Sequence, residues 1–108
     1  MLSMALNNYK RATASMIVER GWDRASLTAV WLLFTEEVGE LASAIRQRAR
    51  MYRKEGMKKD KGIDVVMEMG DVFSYLFQLA DMLNVDLDQM WELHRQKMNL
   101  KKYNPVIL

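Results

Sequence analysis

Helical periodicity extends through nearly the whole chain, and this feature limits the possible folds more than any other. Apolar residues recur at helical spacing, and no segment has the strict alternation of a half-buried strand. The single proline, Pro105, lies almost at the end of the 108 residues, so none interrupts the main part of the chain. A chain of this length supports one domain. We therefore predict an all-α fold in which residues 1–108 form a single antiparallel four-helix bundle.

Local signals set the expected limits of the helices. Gly21 is a stop signal, Ser26 is a suitable N-cap, and Asp86 with Gln89 has the form of a capping box. The lysine-rich segment 54–62 contains two glycines and is predicted to be a loop. The predicted helices span about residues 3–20, 27–53 and 63–83, with a short fourth helix from 86 onward.

Composition excludes several classes of protein. The absence of cysteine rules out disulfides, a thiol nucleophile and thiolate metal ligands. The 16 basic residues are offset by 14 acidic ones, and a net charge of +2 does not indicate binding to nucleic acid. No apolar run approaches the ~20 residues that cross a bilayer, and the N-terminus lacks the apolar core of a signal peptide. We expect a cytoplasmic protein that binds neither nucleic acid nor membrane.

Acidic side chains interrupt two otherwise apolar helices in a matched pattern. Glu37 and Glu40 lie three residues apart in the second helix, and Glu68 and Asp71 lie three apart in the third. Residues at this spacing share a helix face, so each pair presents two carboxylates in one direction. Glu37 and Glu68 are separated by as many residues as Glu40 and Asp71. Two antiparallel helices joined by a loop can bring such pairs face to face around one small volume.

A cation would offset the cost of placing four carboxylates together away from water. Neither acidic segment contains a basic residue or a histidine, and an all-oxygen site favours magnesium or manganese over zinc. We therefore predict a metal site with Mg²⁺ as the cofactor and Mn²⁺ as a possible substitute. The alternative is that the acids lie at a solvated edge of the bundle.

Four segments together are similar to a known family and span most of the chain. They are ERGWD (19–23), EEVGELASAIR (36–46), EMGDVFSYLFQLAD (68–81) and the lysine-rich KMNLKKYNP (97–105). The sequence thus resembles the all-α nucleoside triphosphate pyrophosphohydrolases of the MazG and dCTP pyrophosphatase type. Members of that family cleave between the α and β phosphates and release a nucleoside monophosphate and pyrophosphate. The resemblance implies such an enzyme here, acting on a nucleoside triphosphate and house-cleaning the nucleotide pool.

The resemblance also implies roles for the acidic residues. Glu37, Glu40, Glu68 and Asp71 would be the magnesium ligands. Glu36 and Glu37 would be the catalytic residues, with Glu36 assisting a second ion or the attacking water.

By the same resemblance, one set of residues would bind the base of the nucleotide and another would bind its phosphates. Trp22 occupies the position of the family's RGWD tryptophan, and Tyr75 matches an aromatic position near the substrate. Lys97 matches the lysine that follows the fourth helix, whereas the family's next asparagine aligns with Asn99 only across a short gap. Lys101 is a further candidate for the phosphate tail. Cytidine-specific relatives typically carry a histidine after the tryptophan, and this chain has none there.

Two other functions stay open on the sequence alone. A related enzyme of the same fold would act on phosphoribosyl-ATP or on dUTP. A protein of a different class would be a non-enzymatic helical interaction module whose acids are solvated.

Surplus apolar surface predicts self-association. The third helix is apolar nearly all round its axis, so most of its circumference should be buried. Trp31, on the mainly apolar second helix, is expected in the core. The chain also carries ten methionines and three tryptophans, more than a four-helix monomer readily hides. We expect the bundle to be completed by oligomerisation, as a homodimer or homotetramer.

Overall fold

The computed structural model describes residues 5–49 and 64–100, and in these ranges every regular element is an α-helix. The four helices are α1 (Leu6–Glu19), α2 (Leu27–Arg48), α3 (Asp64–Met82) and α4 (Leu87–Leu100). The predicted all-α fold is confirmed, whereas the predicted loop at 54–62 lies outside the described residues. Within the described residues, no helix combines the length and the apolar character that crossing a membrane requires.

Two of the helices, α2 and α4, begin where the sequence supplies a cap. The Ser26 hydroxyl accepts a hydrogen bond of 3.1 Å from the backbone N–H of Ala29 at the start of α2. Asp86 accepts one of 3.0 Å from the backbone N–H of Gln89 at the start of α4, which is one half of the predicted capping box. Gly21 follows α1 with a φ of 71°, a conformation that glycine adopts without strain.

The second helix ends earlier than predicted. Arg48 is the last residue of α2 and Ala49 is its C-cap, whereas the sequence predicts helix to about residue 53. The segment 46–53 contains no glycine or proline, so no local signal marks the end. Arg46 and Arg48 lie in the last turn, where positive charge complements the carboxyl end of the helix dipole.

The third helix is central to the fold. α3 packs against α2 and α1, and α4 packs against α1. α2 and α3 run antiparallel, because Leu33 and Tyr75 line one cavity while Ala44 and Asp64 line another towards the opposite ends of the two helices. The two helices that carry the acidic pairs are thus arranged as predicted.

The buried core of the described chain is small. Its apolar members are Ile17, Val30, Ala44, Val65, Leu79, Ala80 and Leu87. Only Val30, on α2, is completely buried among the described side chains. The helices therefore leave much of their apolar surface uncovered.

Two predictions about burial are wrong for the single chain. Phe73 and Leu76 of α3 are 48% and 44% exposed, so this helix is less buried than its sequence predicts. Trp31 of α2, expected in the core, is 53% exposed. These side chains line two apolar cavities to which α2, α3 and α4 all contribute. We call this surface the apolar face; it comprises Leu27, Trp31, Phe73, Leu76, Met90 and Trp91.

Candidate metal and nucleotide site

Three carboxylates from two helices converge at the centre of the α2–α3 pair. Glu37 and Glu40 of α2 and Glu68 of α3 each offer one oxygen, and these oxygens lie within 4.8 Å of one another. Asp71, one turn along α3 from Glu68, lies close enough for its charge to affect the pKa values of Glu37 and Glu68. The matched spacing in the sequence therefore corresponds to a real juxtaposition across the antiparallel helices.

Two of these carboxyl groups, Glu37 and Glu68, hold their protons more tightly than an ordinary glutamate. Burial raises the pKa of Glu37 to about 7, assisted by a hydrogen bond with Glu40 and by the negative charges of Glu40, Asp71 and Glu68. Burial and the charge of Glu40 are the main causes of a raised pKa at Glu68. The charged form of this cluster is thus disfavoured unless a cation compensates it.

Two oxygens in the cluster lack a partner. Glu37 Oε2 and Glu68 Oε2 are buried and accept no hydrogen bond from any residue in the described ranges. Buried acceptors without a donor are rare in folded proteins and are costly. Several carboxylate oxygens directed at one point match the ligands that a hard divalent cation prefers. The residues present therefore fit a magnesium or manganese ion.

A polar cavity of about 190 Å³ adjoins the cluster on the side of the carboxyl end of α2. Its lining residues are Glu40, Ser43, Ala44, Gln47, Asp64 and Glu68. Asp64, an acidic residue of the third helix to which the sequence analysis assigned no role, adds a further carboxylate there. Its position four residues before Glu68, on the same helix face, is the signal that could have found it.

A second cavity, of about 330 Å³, lies on the other side of the acids. We call it the aromatic cavity; its lining residues are Ile17, Gly21, Trp22, Arg24, Ala25, Val30, Leu33, Tyr75 and Gln78. The two aromatic residues predicted to contact a base, Trp22 and Tyr75, thus meet in one cavity. Trp22 is 55% exposed, and the guanidinium of Arg20 lies 5.2 Å from its ring centroid.

Helix register places the aromatic cavity beside the carboxylates. Leu33 precedes Glu37 by one turn of α2, and Tyr75 follows Asp71 by one turn of α3, a separation of ~6 Å along each axis. Burial raises the pKa of the Tyr75 hydroxyl, and the charges of Glu37 and Asp71 raise it further. The aromatic cavity and the acidic cluster are therefore adjacent parts of one groove between α2 and α3.

The other predicted site residues lie elsewhere or outside the described ranges. Glu36 is exposed on α2, one residue before Glu37, and its charge contributes to the raised pKa of Tyr75. Lys97 and Asn99 are exposed in the last turn of α4 and line neither cavity of the groove. Lys101 lies outside the described residues.

Comparisons with known proteins agree with this geometry. A family model described as the MazG nucleotide pyrophosphohydrolase domain matches residues 25–104. An uncharacterized protein of Bacillus subtilis strain 168, YvdC, is 33% identical over 84 residues, which cover 74% of this chain and 79% of the relative. The family match includes all of α2, α3 and α4 and hence every carboxylate of the cluster, whereas α1 and Trp22 precede it.

Proposed function

Since the chain belongs to the MazG nucleotide pyrophosphohydrolase family, we propose that it hydrolyses a nucleoside triphosphate between the α and β phosphates in a magnesium-dependent reaction. The products would be the nucleoside monophosphate and pyrophosphate. One observation carries this proposal: Glu37, Glu40 and Glu68 converge, with two unpartnered buried oxygens, beside a cavity that contains two aromatic side chains.

Glu37, Glu40, Glu68 and Asp71 are proposed to hold Mg²⁺, with Mn²⁺ as a substitute. The ion would neutralise phosphate charge and stabilise the pyrophosphate as it leaves. The shared negative charge of these residues supports the assignment, because it makes the empty cluster unfavourable and a bound cation favourable.

Glu36 is proposed to orient the attacking water and to accept its proton. Its exposure and its position next to Glu37 support this role, since it can face solvent while its neighbour faces the cluster. The water oxygen forms a bond to phosphorus, and the bond from that phosphorus to the leaving oxygen breaks. Glu37 is the second candidate for this role, because its carboxylate lies in the same turn of α2.

Trp22 and Tyr75 are proposed to bind the base. Aromatic side chains stack on any base, and the position of the aromatic cavity one turn from the acids suits a nucleotide whose phosphates reach the cluster. Lys97, Asn99 and Lys101 are proposed to contact phosphates. Because Lys97 and Asn99 line neither cavity of their own chain, a second copy is the source we favour for these contacts.

A homodimer or homotetramer is proposed to form through the apolar face. Two apolar cavities of about 590 and 570 Å³ lie along this face, and Leu76, Leu87 and Met90 line both of them. Among the described residues, Asp88 is the one charged side chain lining either cavity, and its carboxylate already accepts a hydrogen bond from the backbone N–H of Leu6 in α1. A surface of this kind suits two-fold pairing with an identical surface better than exposure to water.

Pyrophosphate release from a panel of nucleoside triphosphates, with and without Mg²⁺, tests the proposal. Release that requires Mg²⁺ is the expected result. Including dUTP and phosphoribosyl-ATP separates a general house-cleaning enzyme from the two same-fold alternatives. No release from any substrate at any metal concentration would instead favour the interaction module.

A further inference from the structure

The aromatic cavity contains one side chain suited to recognising the edge of a planar base. Among the described residues that line it, Gln78 alone carries a carboxamide, which offers a donor and an acceptor side by side in one plane. It lies three residues after Tyr75 and therefore on the same face of α3. The Arg24 guanidinium and the Trp22 indole N–H are donors only, and the Tyr75 hydroxyl is a single atom that cannot present a donor and an acceptor side by side.

The Gln78 carboxamide contributes no hydrogen bond to the described part of the fold. Gln78 is half-buried, yet it makes no hydrogen bond to any residue in the ranges 5–49 and 64–100. Among the described residues, the buried side-chain polar atoms without a partner belong to Glu37 and Glu68, so the Gln78 amide stays open to solvent in the cavity, where a ligand can hydrogen-bond it. Gln78 also borders a cavity of about 90 Å³ beside Asp23 and Asp81, which is much smaller and has no aromatic wall.

We propose that the Gln78 carboxamide hydrogen-bonds the edge of the nucleotide base held by Trp22 and Tyr75, and so determines which bases the enzyme prefers. This inference rests on the proposed function and adds a specificity-determining residue to it. Stacking on Trp22 and Tyr75 supplies affinity for any base. Discrimination needs a group that can hydrogen-bond the edge of the base, and among the described lining residues Gln78 carries the carboxamide, which has both a donor and an acceptor.

A single substitution that changes the hydrogen-bonding pattern gives a directional test. A carboxamide presents one donor and one acceptor, whereas the carboxylate in Gln78→Glu presents acceptors only. Guanine has two adjacent donors on its Watson–Crick edge, while thymine has one donor between two carbonyl acceptors. The variant should therefore favour guanine, and its carboxylate should repel the carbonyl oxygens of thymine.

The experiment compares kcat/KM for the four deoxynucleoside triphosphates in wild type, Gln78→Glu and Gln78→Met. We expect Gln78→Glu to raise the ratio of dGTP to dTTP by about tenfold or more relative to wild type. Gln78→Met keeps the length of the side chain but removes its polar atoms, so it should reduce the differences among the four bases. Gln96→Glu, an exposed change of the same kind on α4, should leave the profile unchanged.

Calorimetric binding of the four deoxynucleoside monophosphates separates this inference from the proposed function. If wild type releases no pyrophosphate but Gln78→Glu shifts binding from dTMP towards dGMP, the proposed function fails and base reading by Gln78 stands. An unchanged base profile in both measurements overturns the inference even if hydrolysis is robust. If Gln78→Glu does not fold, Gln78→Met provides the test. The inference is overturned if kcat/KM differs among the four deoxynucleoside triphosphates as much in Gln78→Met as in wild type.

Discussion

Asp88 of α4 caps the N-terminus of α1, because its carboxylate accepts a hydrogen bond of 2.8 Å from the backbone N–H of Leu6. The relationship is reciprocal: the side-chain oxygen of Asn7 accepts a hydrogen bond of 2.8 Å from the backbone N–H of Leu87, the first residue of α4. Ala5, at the N-cap of α1, has no side-chain group for this purpose. The first turn of α1 thus depends on α4 for its cap, whereas α4 gains an acceptor from α1 in addition to its own cap, Asp86.

Replacing Asp88 by alanine should lower the free energy of unfolding by about 1–2 kcal/mol, because the first N–H groups of α1 lose their acceptor. Urea unfolding at a fixed protein concentration measures the change. Glu92→Ala is the matched control, since Glu92 lies on the same helix and its ion pair with Arg95, at 3.4 Å, is exposed. Equal midpoints for the two variants would show that the Asp88 cap contributes nothing.

Glu68→Gln should abolish pyrophosphate release while preserving the helical circular dichroism spectrum. The substitution keeps the shape of the side chain but removes a charge that a magnesium ion requires. It also relieves repulsion within the cluster, so the melting temperature of the metal-free variant should not fall below that of wild type. Full activity in this variant would reject Glu68 as a ligand.

Glu37 should make the folded protein less stable as pH rises, which is the opposite of the effect of a carboxylate paired with a positive charge. The pKa of Glu37 is about 7 in the folded protein against an ordinary value of 4.5, so between these values the folded state binds more protons than the unfolded state. The free energy of unfolding contributed by Glu37 therefore decreases as pH rises through this range. In the presence of a metal chelator, the melting temperature of the wild-type protein should decrease as the pH is raised from about 5 to about 8.

Glu37→Gln is the control for this pH effect and should flatten the decrease. Added Mg²⁺ should raise the melting temperature of wild type more at the higher pH, because protons no longer compete for the carboxylates. Asp86 has the opposite effect on stability, and at lower pH. Hydrogen bonds from the Gln89 N–H and from Asn7 lower the pKa of Asp86 below 3.8. The stability that Asp86 contributes is therefore lost only as the pH falls into stronger acid. A melting temperature that rises steadily to about pH 8 would contradict the assignment to Glu37.

Loss of an aromatic wall should weaken substrate binding. Trp22→Ala and Tyr75→Ala should each raise KM by about tenfold, because stacking on one aromatic side chain contributes that order of affinity per base. Tyr75→Phe retains the ring and is expected to keep KM near the wild-type value. If Tyr75→Phe is as impaired as Tyr75→Ala, the hydroxyl and not the ring is the functional group.

A charge on the apolar face should disrupt assembly. Sedimentation velocity at micromolar concentration should show a dimer or tetramer for wild type and a monomer for Leu76→Lys, because Leu76 lies at the middle of that face. Leu100→Lys introduces the same charge at the end of α4, where Leu100 is 85% exposed, and should leave the assembly intact. A wild-type monomer would refute the proposed role of the face.

The acidic cluster was predictable because it depends on spacing alone. Two residues three apart share a helix face wherever that helix lies, so an antiparallel α3 was enough to bring Glu68 against Glu37 and Glu40, with Asp71 nearby. Periodicity also predicted the four helices, and caps such as Ser26 predicted where they begin.

Burial and the aromatic cavity were harder to predict. Apolar periodicity indicates that Trp31 and Phe73 avoid water, but it does not indicate whether the same chain or a second copy covers them. The cavity depends on the turn at Gly21, on α2 and on α3 together, so only the packed structure brings Gln78 beside Trp22. The one sequence signal that Gln78 belongs to this cavity was its position one turn beyond Tyr75 on α3.

The antiparallel alignment of α2 and α3 has a consequence for how this sequence can tolerate insertions. Each residue added within a helix rotates everything beyond it by about 100°, so one extra residue between Leu33 and Glu37 would turn the carboxylates away from α3. The same holds for α3, where an extra residue between Asp71 and Tyr75 would turn the aromatic ring away from the groove. The lengths of these two stretches of helix are therefore fixed by the need to keep the carboxylates and the aromatic cavity on one side.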